Sequence, residues 1–216
     1  ASRFIADQEG QRTVSSLSQR LTFDTRNSTR FPSEGYMWWL DTELAGLGGN
    51  TSFVKGEVGA SWYYPFTQRV VLNILGEVGA VTGYSEDDVN INDRFFLGGR
   101  DIRGFEDSGL GPRDTASNDA LGGNYFYRGS VELSFPLPVP EELGIEGHTF
   151  TDVGSLFEVD DQDPSVADEA SPRVSAGIGL SWRSPFGPIR MDLAAPIVKE
   201  DFDEEQAFRF NFGTRF

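Results

Sequence analysis

The sequence predicts an all-β fold, a transmembrane antiparallel β-barrel, from three observations. Apolar and polar residues alternate with period two in one segment after another, which is the pattern of strands with one apolar face. Short turns alternate with longer acidic connections, as in outer-membrane barrels. No apolar run approaches the ~20 residues that a transmembrane helix requires, so a helical membrane protein is excluded.

Nine segments carry the alternation, and they roughly match the ~9–11 residues with which a tilted strand crosses a bilayer. In chain order they are Ser15–Thr25, Tyr36–Gly46, Ser52–Tyr64, Val70–Val81, Asn124–Phe135, Gly147–Phe157, Arg173–Arg183, Ile189–Ala195 and Ala207–Phe216.

The third segment shows the pattern clearly, with Val58 and Trp62 on one face and Glu57 on the other. Aromatic residues gather near strand ends, in YMWWL at Tyr36–Leu40 and in SWYYPF at Ser61–Phe66. Tyrosine and tryptophan form girdles at both interfaces of membrane barrels. These two clusters are therefore placed at the membrane–water boundary.

The later segments put acidic groups on the predicted inner face. Glu132 has the inward phase of the fifth strand, and Asp152 shares the inward phase of the sixth with Phe150. Between the fourth and fifth strands lies an acidic loop of about residues 83–121, which contains GGRDIRGF at Gly98–Phe105. We expect this loop to fold back into the barrel lumen.

The last segment has aromatic residues at alternate positions: Phe208, Phe210, Phe212 and Phe216. Such a pattern is the C-terminal signal by which outer-membrane barrels are recognised for assembly, so it reports destination and not activity. Gly213 has no side chain to pack, and two interpretations stay open. It lets the strand end bend away from its partner, or it is a small residue that lumen packing tolerates.

A soluble β-sandwich also alternates polar and apolar residues, but its strands usually have about five or six residues. The barrel is therefore the preferred fold. Nine antiparallel strands cannot close by antiparallel pairing, and an open edge in lipid leaves backbone groups unsatisfied. We expect missing strands on the N-terminal side, or a partner chain, to complete the barrel.

Composition excludes several functions. The net charge of −16, from 34 acidic and 18 basic residues, argues against nucleic acid as a partner, because phosphate binding needs a basic surface. With no Cys and a single His, the sequence offers neither a Ser-His-Asp set nor metal ligands at suitable spacing. We expect no catalytic residues, no metal and no cofactor, and thus a protein that is not an enzyme.

Several segments resemble the C-terminal part of the BamA-type outer-membrane assembly factors and their superfamily, which includes the TamA, mitochondrial Sam and chloroplast Toc barrels. The matching stretches are LTFDTRNSTRFPSEGY (Leu21–Tyr36), FFLGGRDIRGFEDSGLGPRD (Phe95–Asp114), LGGNYFYRGSVELSFPLP (Leu121–Pro138), FTDVG (Phe150–Gly154), SAGIGLSWRSPFGPIRMDLAAP (Ser175–Pro196) and FNFGTRF (Phe210–Phe216).

This resemblance implies the last nine strands of a sixteen-stranded barrel, without the first seven strands and the periplasmic POTRA repeats. It implies assembly and insertion of outer-membrane β-barrel proteins through a lateral seam at the last strand, which includes Phe208–Phe216. The implied location is the bacterial outer membrane. The implied partners are the lipid bilayer, nascent outer-membrane β-barrel proteins and accessory lipoproteins.

In the family, the Arg-Gly-Phe of the long loop reaches into the lumen, which gives that role here to Arg103, Gly104 and Phe105. Glu132 and Asp152 match the acidic positions that contact the loop arginine. An arginine in a narrow lumen needs carboxylates, which its planar fork can grip. We therefore predict that Arg103 bridges Glu132 and Asp152 and locks the loop inside the barrel.

Two other functions remain as alternatives. A polypeptide-secretion transporter or passive pore of the same superfamily would share the long loop and its Arg-Gly-Phe. The combined GGRDIRGF, GLGPRD and SPFGPIRMDLA pattern favours the assembly branch. The chain could also be an inert fragment or half of a split barrel, because nine strands leave that open.

Overall fold

The computed structural model describes residues 2–6, 8, 10–84, 88–160 and 163–213. Within these residues a short helix, α1 (Arg3–Ala6), precedes thirteen strands, and 3₁₀ turns lie at Ile91–Asp93 and Glu141–Leu143. The strands are β1 (Val14–Asp24), β2 (Gly35–Gly49), β3 (Phe53–Pro65), β4 (Val71–Gly83), β5 (Gly104–Phe105), β6 (Arg113–Asp114), β7 (Tyr125–Pro136), β8 (Ile145–Phe157), β9 (Val166–Ala167), β10 (Arg173–Ser184), β11 (Gly187–Val198), β12 (Glu205–Gln206) and β13 (Phe208–Phe212).

The nine longer strands form one antiparallel sheet in the order β1-β2-β3-β4-β7-β8-β10-β11-β13. Each long strand pairs with the next long strand in the chain, so the sheet is a simple up-and-down meander. Over the described residues, β1 and β13 form its two edges. No helix in the same residues is long and apolar enough to span a membrane.

Burial across this sheet is the reverse of that in a soluble protein. Val58 and Trp62 on β3 are 45% and 46% exposed, whereas the polar Ser61 between them in the alternation is buried. On β10, Ile178 is 63% exposed while Ser175 is fully buried. A continuous apolar outer face of this extent is suited to lipid.

The loop between β4 and β7 packs against the polar, inner face of the sheet. Its apolar side chains form a core with residues of the strands, and this core includes Val81, Phe95, Leu97, Ile102, Phe105, Leu110, Phe126 and Leu156. Two small sheets join the loop to more distant loops, since β5 pairs with β12 and β6 pairs with β9. The loop is thus held by an apolar core as well as by strand pairing.

All nine predicted membrane strands are present, and the single large sheet confirms the all-β antiparallel fold class. The strand ends differ by a few residues from the prediction. The last strand was predicted to be ten residues long, but β13 ends at Phe212, and Phe216 lies outside the described residues. The loop, predicted without strands, contains β5 and β6 because each pairs with a segment far away in sequence.

Candidate functional site

The candidate site lies where the long loop contacts the inner face of β7 and β8. Arg103, one residue before β5, is buried there against Asp152 of β8. The Arg103 backbone N–H donates to Asp152 Oδ2 at 3.0 Å, its Nε donates to the same oxygen at 2.7 Å, and its Nη2 donates to Oδ1 at 2.7 Å. Asp152 therefore receives the guanidinium as a bidentate fork, which is the strong geometry for this pair.

Glu132 and Ser130 of β7 complete the surroundings of Arg103. Its Nη1 donates to Glu132 Oε2 at 2.6 Å and its Nη2 donates to Ser130 Oγ at 3.0 Å. The Ser130 hydroxyl donates in turn to Asp152 Oδ1 at 2.6 Å. Ser130 stands opposite Asp152 in the β7–β8 register, so strand pairing places the two acceptors side by side.

Aromatic and apolar contacts complete the seating of the loop. The Arg103 guanidinium carbon lies 3.4 Å from the centroid of the Phe150 ring, a cation–π contact in a site shielded from water. Phe105 is fully buried in the core under the loop. The segment Arg103–Phe105 thus packs against the inner face of the sheet as one unit.

Gly104 is required by both conformation and space. Its φ is +96°, and an added Cβ would lie 3.3 Å from Ser175 Cβ and 3.4 Å from Pro196 N. Residues with a side chain rarely adopt such a φ, and the neighbouring atoms leave little room for one. The glycine lets the chain turn closely beside the inner wall.

The Arg103 guanidinium keeps its positive charge in this buried position. Burial by itself lowers the pKa of the Arg103 guanidinium, but the hydrogen bonds and charges of Asp152 and Glu132 outweigh it and raise that pKa above its ordinary value. An arginine side chain is already protonated at any pH at which proteins fold. The loop therefore always presents a cation to the two carboxylates.

A second arginine, which the sequence interpretation did not single out, shares Glu132. Arg190 of β11 donates from Nη2 to Glu132 Oε2 at 2.6 Å and from Nη1 to Oε1 at 3.1 Å. Its Nε lies 3.1 Å from Asp192 Oδ2. The alternation of GPIRMDL could have placed Arg190 and Asp192 on the inner face, since Ile189, Met191 and Leu193 have the opposite phase.

A second loop anchor lies nearer to β4. Asp101 Oδ1 forms an ion pair with Arg128 Nη1 at 3.1 Å, and Arg128 Nε lies 2.5 Å from Glu77 Oε2. Trp39 Nε1 donates to the other oxygen of Glu77 at 3.0 Å. The loop thus places one anion, Asp101, and one cation, Arg103, against groups of opposite charge on the inner face of the sheet.

Three residues meet in a way that the sequence interpretation did not expect. His148 Nε2 lies 2.6 Å from Asp192 Oδ1, and His148 Nδ1 lies 3.3 Å from Ser181 Oγ. The sequence interpretation offered no Ser-His-Asp set for catalysis, and the structure brings these three side chains together because they lie on the neighbouring strands β10, β8 and β11. Arg190 also binds Asp192, so this carboxylate is part of the charge network of the wall.

The predicted seam residues lie at one edge of the sheet. Phe208, Phe210 and Phe212 are 54%, 56% and 61% exposed on the outer face, while β13 pairs with β11 on the other side. Gly213 has a φ of +120°, yet its N–H donates to Pro188 O at 3.0 Å, so the chain still bonds to the neighbouring segment there. Phe216 lies outside the described residues.

Comparison with known proteins gives a consistent result. Residues 1–216 match the Omp85 superfamily domain. The outer membrane protein assembly factor BamA of Neorickettsia risticii is 34% identical over 213 residues, which cover 98% of this chain and 29% of that protein. A SAM50-like protein of Schizosaccharomyces pombe is 29% identical over 227 residues, which cover 100% of this chain and 47% of that protein.

Among solved structures, the crystal structure of BamA from Haemophilus ducreyi lacking POTRA domains 1–3 superposes with a TM-score of 0.81 at 25% identity. The match covers 90% of this chain and 41% of that one. The chain therefore spans less than half the length of each of these relatives.

Proposed function

The chain belongs to the Omp85 superfamily, and we propose that it forms part of the barrel of an outer-membrane protein assembly factor, which folds and inserts other β-barrel proteins. The observation that carries this proposal is the 34% identity to a BamA over nearly the whole chain. The loop arginine, Arg103, held between Asp152 and Glu132 on the inner wall, supports it as a feature that the secretion alternative would share.

In this proposal, the nine long strands are the C-terminal strands of a sixteen-stranded barrel. The open edges at β1 and β13 support it, because lipid tolerates only closed sheets. The match to the Haemophilus ducreyi BamA supports it too, because this chain covers 41% of that one. Further N-terminal strands would complete the wall, and POTRA repeats would precede them.

We place the protein in the bacterial outer membrane, since the BamA relatives are bacterial. The similarity to SAM50-like proteins means that the superfamily itself extends to eukaryotes. Nascent outer-membrane β-barrel proteins are the proposed clients, and accessory lipoproteins are the proposed partners on the periplasmic side. The apolar outer face, with Val58 and Ile178 exposed, supports contact with lipid.

The proposed activity involves no covalent step. The edge at β13 would template an incoming strand through backbone hydrogen bonds, and the client's own folding would supply the free energy. Because Asp192 is bound by Arg190 as well as by His148, we assign the Ser181–His148–Asp192 contact to wall structure. No enzymatic activity is proposed.

The test is reconstitution of the protein, expressed from its complete gene, into lipid vesicles. Accelerated folding of an unrelated outer-membrane barrel, with small steady conductance, supports the proposal. Large steady conductance without acceleration would contradict it and favour the passive-pore or secretion alternative. A loop that packs on the inner wall through Phe105 and Leu110 leads us to expect low conductance.

A further inference from the structure

The segment just before the last strand is hydrogen-bonded to the long loop. Glu205 and Gln206, which form β12, pair with Phe105 and Gly104, which form β5. These loop residues directly follow Arg103. The anchored part of the loop therefore forms a two-stranded ladder with the chain that leads into β13.

Glu204 extends this ladder through both its backbone carbonyl and its backbone N–H. Its carbonyl accepts from Glu106 N at 2.9 Å, and its N–H donates to Gly109 O at 2.7 Å. Its side chain Oε1 accepts from Asn118 Nδ2 at 2.7 Å and lies 3.3 Å from Arg113 Nη1. Since Arg113 is almost fully buried, Glu204 is the carboxylate that compensates this cation.

The same segment also contacts the sheet. Ala207 O accepts from Ala194 N of β11 at 2.9 Å. Two residues further on, Arg209 Nη1 lies 3.0 Å from Asp107 Oδ1 of the loop. The start of the last strand is thus held between β11 and the loop. Beyond it, within the described part of the chain, β13 pairs with β11 from Phe208 to Phe212.

We propose that Glu204 is a positioning residue that couples the docking of the long loop to the pairing of the last strand. Displacement of the loop from the wall pulls on Glu204–Gln206 and loosens β13, and displacement of β13 pulls the loop from its anchor. The coupling itself does not depend on the proposed function. Its role in assembly rests on that function, which requires the edge at β13 to open.

The experiment is site-resolved amide hydrogen exchange on the protein, expressed from its complete gene and held in lipid nanodiscs. Glu204→Ala removes the acceptor for Asn118 and the partner of Arg113. We expect about tenfold faster exchange, the effect of losing one hydrogen bond to a charged group. The faster exchange should appear together in Gly104–Gly109 and in Phe208–Phe212.

Two variants serve as controls. Glu205→Ala removes the neighbouring carboxylate, whose side chain is exposed and pairs with Lys199, and it should leave both segments unchanged. Glu204→Gln keeps an oxygen for Asn118 and should restore much of the protection. Acceleration confined to the loop in Glu204→Ala, with the last strand unchanged, would overturn the coupling.

If Glu204→Ala does not accumulate in membranes, Arg103→Lys provides the second perturbation, since lysine cannot form the fork to Asp152. Coupling then predicts faster exchange in Phe208–Phe212, although Arg103 does not touch this strand. An unchanged last strand beside a loosened loop would sink the inference. Exchange needs no client protein, so its result is independent of whether assembly activity is found.

Discussion

At the scale of single residues, the site is a network of buried charges with two arginines and three carboxylates. Arg103 and Arg190 stand against Glu132, Asp152 and Asp192. Glu132 has two cationic partners, whereas Asp152 has only Arg103 among the charged groups bonded to it in the described part of the chain. The cost of losing a cation therefore depends on which carboxylate it leaves alone.

Replacing Arg103 with Met should destabilise the loop severely, because it strands the buried Asp152. Breaking one half of a buried ion pair costs about 3–5 kcal/mol. We expect a marked fall in the unfolding temperature, measured by heat-dependent gel mobility of the membrane protein. Adding Asp152→Asn to Arg103→Met should recover part of the loss, and a double variant less stable than the single one would contradict this account.

Replacing Arg190 with Met should cost less. Glu132 keeps Arg103 and Asp192 keeps His148, so the loss is about 1.5–3 kcal/mol, the range for a hydrogen bond to a charged group. The same unfolding measurement checks it. A larger fall than that of Arg103→Met would mean that the β11 arginine, and not the loop arginine, is the main anchor.

The sequence interpretation found part of this network. Strand phase placed Glu132 and Asp152 on the inner face, and the family resemblance connected them to Arg103. Arg190, Asp192 and His148 were not connected to the site, although the alternation places the first two inward. Which inward charges meet depends on strand stagger and on the loop's path, and neither is visible in local alternation.

At the scale of elements, membrane strands proved predictable because each has one lipid face and one polar face over many residues. β5 and β12 were not predictable, since each has two residues and exists only because the other pairs with it. The shortness of β13 was not expected either. Short elements made by distant pairing carry no periodic signal of their own.

Val58→Arg tests the orientation of β3. The side chain would enter the apolar outer face, and a cation there costs about 2–4 kcal/mol near the middle of the bilayer. Glu57→Gln, the matched change on the inner face of the same strand, should have a much smaller effect. Equal losses of stability in the two variants, compared in the same vesicles, would show that the outer face does not contact lipid.

At the scale of the whole molecule, the barrel class followed from composition and alternation, and the single nine-stranded sheet agrees with it. Closure could not be predicted from this sequence, because it needs strands that pair at β1 and β13. In the proposed function, this open edge is connected to the long loop. The loop packs on the wall at Arg103 and, next to it, on the chain entering β13.

We propose that the protein folds other barrels and needs its loop anchored to do so. The most direct measurement is the folding rate of an unrelated outer-membrane barrel in vesicles that contain the protein expressed from its complete gene, either unaltered or as Arg103→Glu. We expect acceleration by the unaltered protein and its loss in Arg103→Glu, whose added carboxylate repels Asp152 and Glu132. Equal acceleration by both proteins, with the loop equally protected from protease, would contradict it.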